Sequence, residues 1–155
     1  MISPELLRRF PFFAPFSENQ LKEIALISAQ DSAEKNTILF EQDQPANTLF
    51  LLIEGCVELY FTSGDETLPR KKKEFPVGEI NPGEIFGISA LVEPCILSAA
   101  ARLCKPGSFV RIDAIELRKL LDADHNMGYA AMQQVTKVLY ERIEYTRVQL
   151  AAAWA

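Results

Sequence analysis

The segment 82–103 constrains the fold of this chain more than any other part of it. Two glycines, Gly83 and Gly87, frame an aromatic residue, a helix-compatible run follows at 88–92, and a strand of small residues occupies 98–103. Glycine lets a backbone approach a ligand closely, and the first turn of a helix leaves N–H groups without partners. The segment therefore predicts a turn in which the main chain can hold an anion.

Helix signals mark the N-terminal part of the chain. Ser3 precedes Pro4 and an acidic residue, which is typical of a helix start. Ser17 and Gln20 then form a capping box ahead of an apolar helical face. Residues 1–28 are therefore predicted to form N-terminal helices.

The C-terminal part carries a second set of helix signals. Asp113 and Glu116 have the spacing of another capping box, which opens a helix to about residue 121. Asp124 then caps a long helix that extends towards Ala153. Residues 113–155 are therefore predicted to be the closing helices.

Short strands fill the middle of the chain. Segments rich in β-branched and aromatic residues, separated by turn signals, occur at 37–40, 48–54, 56–62, 72–77, 98–103 and 108–112. Strands of this length and spacing favour a closed or double-layered antiparallel sheet. The fold class is predicted to be mainly β with flanking helices. Residues 29–112 are predicted to form an antiparallel β-roll of the double-stranded β-helix or jelly-roll type, within a single domain 1–155.

The segment 82–103 resembles the phosphate-binding cassette of the cyclic-nucleotide-binding domains in catabolite-activator and FNR-type regulators. That cassette has the pattern Phe-Gly-Glu-(Leu/Ile)-Ala-Leu, a short loop, and Arg-(Ser/Thr/Ala)-Ala; the matching residues are Phe86, Gly87, Ala90, Leu91, Ser98 and Ala99. Residues 51–57 also resemble the family pattern Leu-x-Ile-x-x-Gly-x-Val. Asn36 and Gln42 occupy two other positions at which the family has glycine.

Two charged residues of the family cassette are replaced. Ile88 stands where the family places its ribose-binding glutamate, and Leu97 where it places its phosphate-binding arginine. Losing two charge-assisted contacts costs about 3–6 kcal/mol, or roughly 10²–10⁴ in affinity. We expect weak or absent binding of cyclic AMP or GMP. The ligand, a cyclic nucleotide or another small anion, would lie against the residues of the degenerate cassette, which are Gly87, Ile88, Ser89, Ala90, Leu97, Ser98 and Ala99.

The resemblance also implies contacts from the closing helix. Family members contact the base from its middle, where this chain has Arg142, Ile143 and Thr146. Thr146 could face a base, and Arg142 could replace the lost cation. The alternative, a threonine facing a helix partner and a solvated arginine, is the more common arrangement.

The long helix carries an apolar seam. Its residues recur at alternating four- and three-residue steps, and they are Met132, Thr136, Leu139, Ile143, Thr146 and Leu150. This spacing is that of a coiled coil. It predicts a homodimer through the long helix, with an unidentified protein partner or packing against the chain's own roll as alternatives.

Bulk properties exclude several classes of function. The net charge of −5 argues against a nucleic-acid surface, and no apolar run is long enough for a membrane span. Three cysteines without a CxxC pair favour free, mostly buried thiols in a reducing cytoplasm. The expected location is cytoplasmic, and no helix-turn-helix DNA-binding domain fits within the sequence.

The remaining candidate sites favour simple interpretations. The basic run 70–73 is expected to be a solvated strand edge. His125, the single histidine, cannot supply a metal cluster or a catalytic pair. Cys95 lies in the cassette loop and is the best candidate for redox sensing, although a packed thiol is the commoner outcome.

The sequence thus predicts a sensor or regulatory module that is not an enzyme and holds no metal. A ligand-free module for dimerisation or docking is the first alternative. A genuine cyclic-nucleotide binder that uses Arg142 as its cation is the second.

Overall fold

The computed structural model describes residues 1–64 and 73–155. Its helices are α1 (Pro4–Arg8), α2 (Glu18–Leu26), α3 (Ala114–Ala123) and α4 (His125–Ala153). Its strands are β1 (Ser28–Ala33), β2 (Ile38–Phe40), β3 (Thr48–Ser63), β4 (Lys73–Ile80), β5 (Ile85–Phe86) and β6 (Ala100–Asp113). Two 3₁₀ turns, Pro11–Phe13 and Ile88–Leu91, complete the described elements. The predicted order of helices, strands and closing helices is confirmed.

The helix starts follow the predicted caps, with one exception. Ser17 and Gln20 form both hydrogen bonds of a capping box, at 3.2 and 2.8 Å. Asp113 accepts hydrogen bonds from the first turn of α3, but the Glu116 side chain pairs with Lys119 instead. The prediction of a second capping box is therefore wrong. The Asp113 N–H already donates to Ile27 O at 3.0 Å, so it has no need of the Glu116 carboxylate.

An antiparallel sheet forms the roll. The strand order is β1-β6-β3-β4, with β2 pairing to β6 and β5 pairing to β3. The fold class, an antiparallel roll flanked by helices and closed by a long C-terminal helix, is confirmed. Part of the predicted strand 72–77 lies outside the described residues, and β4 extends beyond it because Ile80 still pairs with Val57.

Two predicted strand breaks are absent from the sheet. The segments 48–54 and 56–62 run together as β3, and β6 begins at Ala100 and continues through the second predicted break. At this crossing Gly55 has φ +110°, and a Cβ on Gly107 would lie 2.4 Å from Glu54 O. These glycines let β3 and β6 approach closely and shift register without ending.

Sequence periodicity did not predict β1 and β5. Strand β1 has the polar sequence Ser-Ala-Gln-Asp-Ser-Ala and is mostly exposed. Main-chain pairing to β6 holds it in the sheet, so its side chains show no apolar alternation. Strand β5 has only two residues and therefore shows no alternation.

Two hydrophobic clusters position the cassette and the long helix. Inside the roll, Phe50 and Phe86 stack with ring centroids 5.0 Å apart. A second cluster joins the N-terminal helices to the first turns of α4, where Met127, Ala131 and Val135 are buried. The rest of α4 is less buried, and its second half exposes apolar side chains to solvent.

Candidate functional site

A cavity of about 310 Å³ opens between the cassette, the roll and α4. The roll supplies apolar side chains from β2, β3 and β4, the cassette supplies both of its ends, and α4 supplies two residues. The lining consists of Phe40, Leu59, Val77, Gly87, Ile88, Ser89, Val92, Leu97, Ser98, Ala99, Leu139 and Arg142. The site thus lies where three parts of the fold meet.

Gly87 fixes the backbone at the floor of this cavity. It adopts φ +73°, and a Cβ there would lie 3.2 Å from Thr48 O and 3.3 Å from the Phe50 ring. The 3₁₀ turn then begins at Ile88, and the Ala90 N–H donates to Gly87 O at 3.1 Å. The conformation therefore depends on the absence of a side chain at Gly87.

The two substituted cassette positions both border the cavity. Ile88 and Leu97 are only 6% and 5% exposed, and each contributes to the lining. Apolar side chains therefore occupy the places where the family pattern has a carboxylate and a guanidinium. The described part of the lining carries one charged residue, Arg142.

Arg142 reaches the cavity from α4 and is partly buried. Its Nη2 donates to Ile85 O at 3.2 Å. Within residues 1–64 and 73–155 it forms no salt bridge, since no carboxylate lies within 4.0 Å. Burial lowers the pKa of the guanidinium, while Glu84 and Glu141 act in the opposite direction. An arginine stays charged under such conditions and has further N–H donors for an anion.

Three predicted site residues lie outside this cavity. Ala90 lies within the 3₁₀ turn and is fully buried, in a small cluster with Ala46, Leu97 and Ala114. Ile143 is 52% exposed on α4. Thr146 is also exposed, and its hydroxyl donates to Arg142 O at 2.8 Å.

Arg142 was a candidate from the sequence, but Leu139 and the roll residues of the lining were not identified as site residues. Leu139 precedes Arg142 by three residues, so helical spacing alone would have placed both on one face. Phe40, Leu59 and Val77 are strand residues whose inward orientation becomes apparent only once the pairing is known.

Arg118 is a further residue that the sequence did not indicate. Its Nη1 donates to Ala90 O at 2.6 Å and approaches Ala46 O at 3.4 Å. This α3 side chain holds the end of the 3₁₀ turn against the closing helices. The cassette is thereby tied to α3 as well as to the roll.

The other candidate residues lie apart from this cavity. His125 and Cys95 border a separate cavity of about 440 Å³ beside Arg118. Over the described ranges, no three His, Cys, Asp or Glu side chains are grouped as metal ligands would be, and no helix is both long and apolar enough to cross a membrane. Of the basic run 70–73, only Lys73 falls within the described residues, and it is exposed at the start of β4.

Comparisons with known proteins show the family of the chain. Residues 30–124 match the family model of the cyclic nucleotide-binding domain. A protein from Geobacter metallireducens GS-15, assigned as a cyclic nucleotide-binding protein, is 35% identical, with a TM-score of 0.81 over 92% of this chain and 99% of that one. No curated protein is detectably similar in sequence.

More distant structures share the fold. The sensor domain of the transcriptional regulator DNR from Pseudomonas aeruginosa has a TM-score of 0.71 at 22% identity, covering 90% of this chain and 95% of that one. The regulatory domain of Toxoplasma gondii PKA, solved with cAMP, has a TM-score of 0.62 at 17% identity, covering 75% of this chain and 42% of that one. The chain belongs to the cyclic nucleotide-binding domain family.

Proposed function

We propose that this protein is a regulatory sensor module whose cavity binds a small amphiphilic monoanion in preference to a cyclic nucleotide. The observation that carries the proposal is the composition of the cavity wall. Ile88 and Leu97 make the cassette side apolar, and Arg142 on α4 is the one cation that the described residues supply to the lining. Such a site suits a ligand with an apolar body and one anionic group.

A cyclic nucleotide would bind poorly against this wall. Its phosphodiester would lose water at Leu97 and its ribose hydroxyl would lose water at Ile88, without a charged partner in return. Burying a polar group without a compensating hydrogen bond costs about 1–3 kcal/mol of free energy, as judged from protein mutations. The free energy of binding is therefore unfavourable for the part of the ligand that the family normally recognises.

An apolar monoanion avoids both losses. Its body would contact Leu59, Val77 and Leu139, while its anionic group would accept charge-assisted hydrogen bonds from Arg142. The cavity volume of about 310 Å³ is within the range of small-molecule sites. The Ser98 residue at the cavity edge offers a further polar contact.

The proposed output is a change in α4. Arg142 now donates to Ile85 O, which fastens the middle of α4 to the roll. An anion in the cavity would compete for the same guanidinium and weaken this attachment. Ligand binding would thereby alter the position or mobility of the exposed second half of α4.

We also propose that the module is not an enzyme. Over the described residues, the cavity wall contains no His, Cys, Asp or Glu side chain. General acid–base and nucleophilic chemistry mostly rely on such groups. A binding role is the function that this lining supports.

Arg142→Gln is expected to weaken binding of the fluorescent probe anilinonaphthalene sulfonate by roughly 10- to 100-fold, because charge-assisted hydrogen bonds contribute about 1.5–3 kcal/mol. Phenylnaphthylamine has the same aromatic body without the sulfonate, and its affinity should change little. Fluorescence titration of both probes measures the effect. Arg147→Gln is the matched control, since Arg147 is an exposed arginine on the same helix.

Equal losses in Arg142→Gln and Arg147→Gln would mean that the sulfonate binds to general surface charge. Unchanged sulfonate affinity in a folded Arg142→Gln protein would exclude Arg142 as the anion contact. Either result would overturn the proposed ligand class.

A second candidate function is homodimerisation through α4, with or without a ligand. In the single chain, the seam residues Met132, Leu139, Ile143 and Leu150 are 38%, 41%, 52% and 58% exposed. The hydroxyls of Thr136 and Thr146 donate to carbonyls of their own helix, so that these polar groups are satisfied. The seam is therefore available to a second copy of the chain.

A further inference from the structure

Two cysteines distant in sequence lie side by side on the roll. The Sγ atoms of Cys56 on β3 and Cys104 on β6 are 2.9 Å apart. The sheet register explains the contact: Cys56 pairs with Lys105 and Val57 pairs with Leu103, which leaves Cys104 as the extra residue of a bulge. A bulge re-aims a side chain, and here the thiol of Cys104 meets that of Cys56.

The surroundings of the two thiols differ. Cys56 is buried, and its Sγ lies 3.1 Å from Glu79 Oε1. Burial, followed by the hydrogen bonds with Cys104 and Glu79, raises the pKa of Cys56 to about 12. Cys104 is half-buried, and it is therefore the thiol that a reagent reaches first.

We propose that Cys56 and Cys104 form a reversible dithiol–disulfide site that is oxidised by low-molecular-weight disulfides. A protein disulfide requires a sulfur–sulfur distance of about 2.05 Å, so the two sulfurs have to approach by less than about 1 Å. Both thiols are free in the structure. This site is independent of the cavity and of its proposed ligand.

The oxidation proceeds by two exchanges. Cys104 loses its proton to solvent, and its thiolate attacks one sulfur of the small disulfide, whose S–S bond breaks and whose first thiolate leaves and takes up a proton. Cys56 passes its proton to the Glu79 carboxylate and attacks Cys104 Sγ, which expels the second small thiolate. Glu79 returns the proton to this leaving group. The protein loses two protons and two electrons, and the small disulfide takes up both to become two thiols.

Cys95 provides an internal comparison. It was the best redox candidate from the sequence, yet among the described residues its Sγ has one hydrogen-bond partner, Ala90 O, at 3.7 Å. It has no neighbouring sulfur there with which to form an intramolecular bond. Cys95 is therefore expected to stay outside any intramolecular disulfide while the pair oxidises.

The bond would tie β3 to β6, the two longest strands of the sheet. A cross-link between distant parts of a chain restricts the unfolded state and raises stability. The oxidised protein is expected to unfold at a temperature several degrees above that of the reduced protein. Reduction with dithiothreitol should restore the original midpoint.

The test equilibrates the full chain with oxidised glutathione, alkylates the remaining thiols and identifies them by peptide mass mapping. The wild-type protein should yield a Cys56–Cys104 cross-linked peptide, with Cys95 either alkylated or joined to glutathione but in no cross-link. Cys95→Ser should form the same cross-link. Cys56→Ser should accumulate glutathione on Cys104, whereas Cys104→Ser should leave Cys56 reduced.

Mapping of the wild-type protein needs no variant and therefore decides the matter even if a substitution prevents folding. Three alkylated cysteines after prolonged exposure to oxidised glutathione would overturn the proposal. A cross-link that involves Cys95 in place of Cys104 would overturn it as well.

Discussion

The double substitution Ile88→Glu with Leu97→Arg is expected to increase cyclic AMP affinity by roughly 10²–10⁴-fold, because it restores two charge-assisted contacts. Both positions border the cavity, and the left-handed conformation of Gly87 that shapes the cassette is already present. Isothermal titration of the folded variant with cyclic AMP measures the gain. The increase should exceed that of either single substitution.

The matched control is Ile88→Gln with Leu97→Met, which retains comparable side-chain lengths without the charges. Leu97 also packs beside Ala46 and Ala90, so circular dichroism must first show that each variant is folded. A folded charged variant that binds cyclic AMP no better than the control would mean that the cassette holds its charged groups in a different geometry.

The second large effect concerns the α4 seam. Ile143→Asp is expected to raise the dimer dissociation constant by roughly 100- to 1,000-fold, because an aspartate buried at the seam without a partner costs several kcal/mol. Leu139→Asp would give a similar loss, but Leu139 also borders the cavity, so Ile143 separates association from ligand binding. Analytical ultracentrifugation over a range of protein concentrations measures the change.

Val148→Asp is the control for this experiment. Val148 is 70% exposed and lies off the seam by heptad position, so its substitution should leave association unchanged. Because Ile143 is exposed in the single chain, Ile143→Asp should remain folded by circular dichroism. A wild-type protein that stays monomeric at about 100 µM, well above a micromolar dissociation constant, would contradict the dimer.

The fold was largely predictable because its signals are local. Ser17 with Gln20, and Asp124 with the turn that follows it, act through neighbouring residues, so that the sequence alone identifies two helix starts. Asn36 in place of a family glycine adopts φ +71°, as expected of a residue that tolerates the left-handed region. The continuity of β3 and β6 was missed because it depends on the close approach of Gly55 and Gly107 across the sheet.

The site was predictable only in part, because some of its contacts join residues that are distant in sequence. The resemblance placed Gly87, Ile88, Leu97 and Ser98 together, and all four border one cavity. Arg118 was missed because its two carbonyl partners lie far from it in sequence. The neighbouring thiols of Cys56 and Cys104 were missed because a single bulged residue brings them together.

The composition of the cavity wall makes one measurement decisive, an isothermal titration of the wild-type protein with cyclic AMP. With Ile88 and Leu97 in the cassette, we expect no saturable heat below about 1 mM. A dissociation constant of about 10 µM or tighter, abolished by Arg142→Gln, would contradict the proposed ligand class. It would instead identify Arg142 as the cation of a genuine cyclic-nucleotide site.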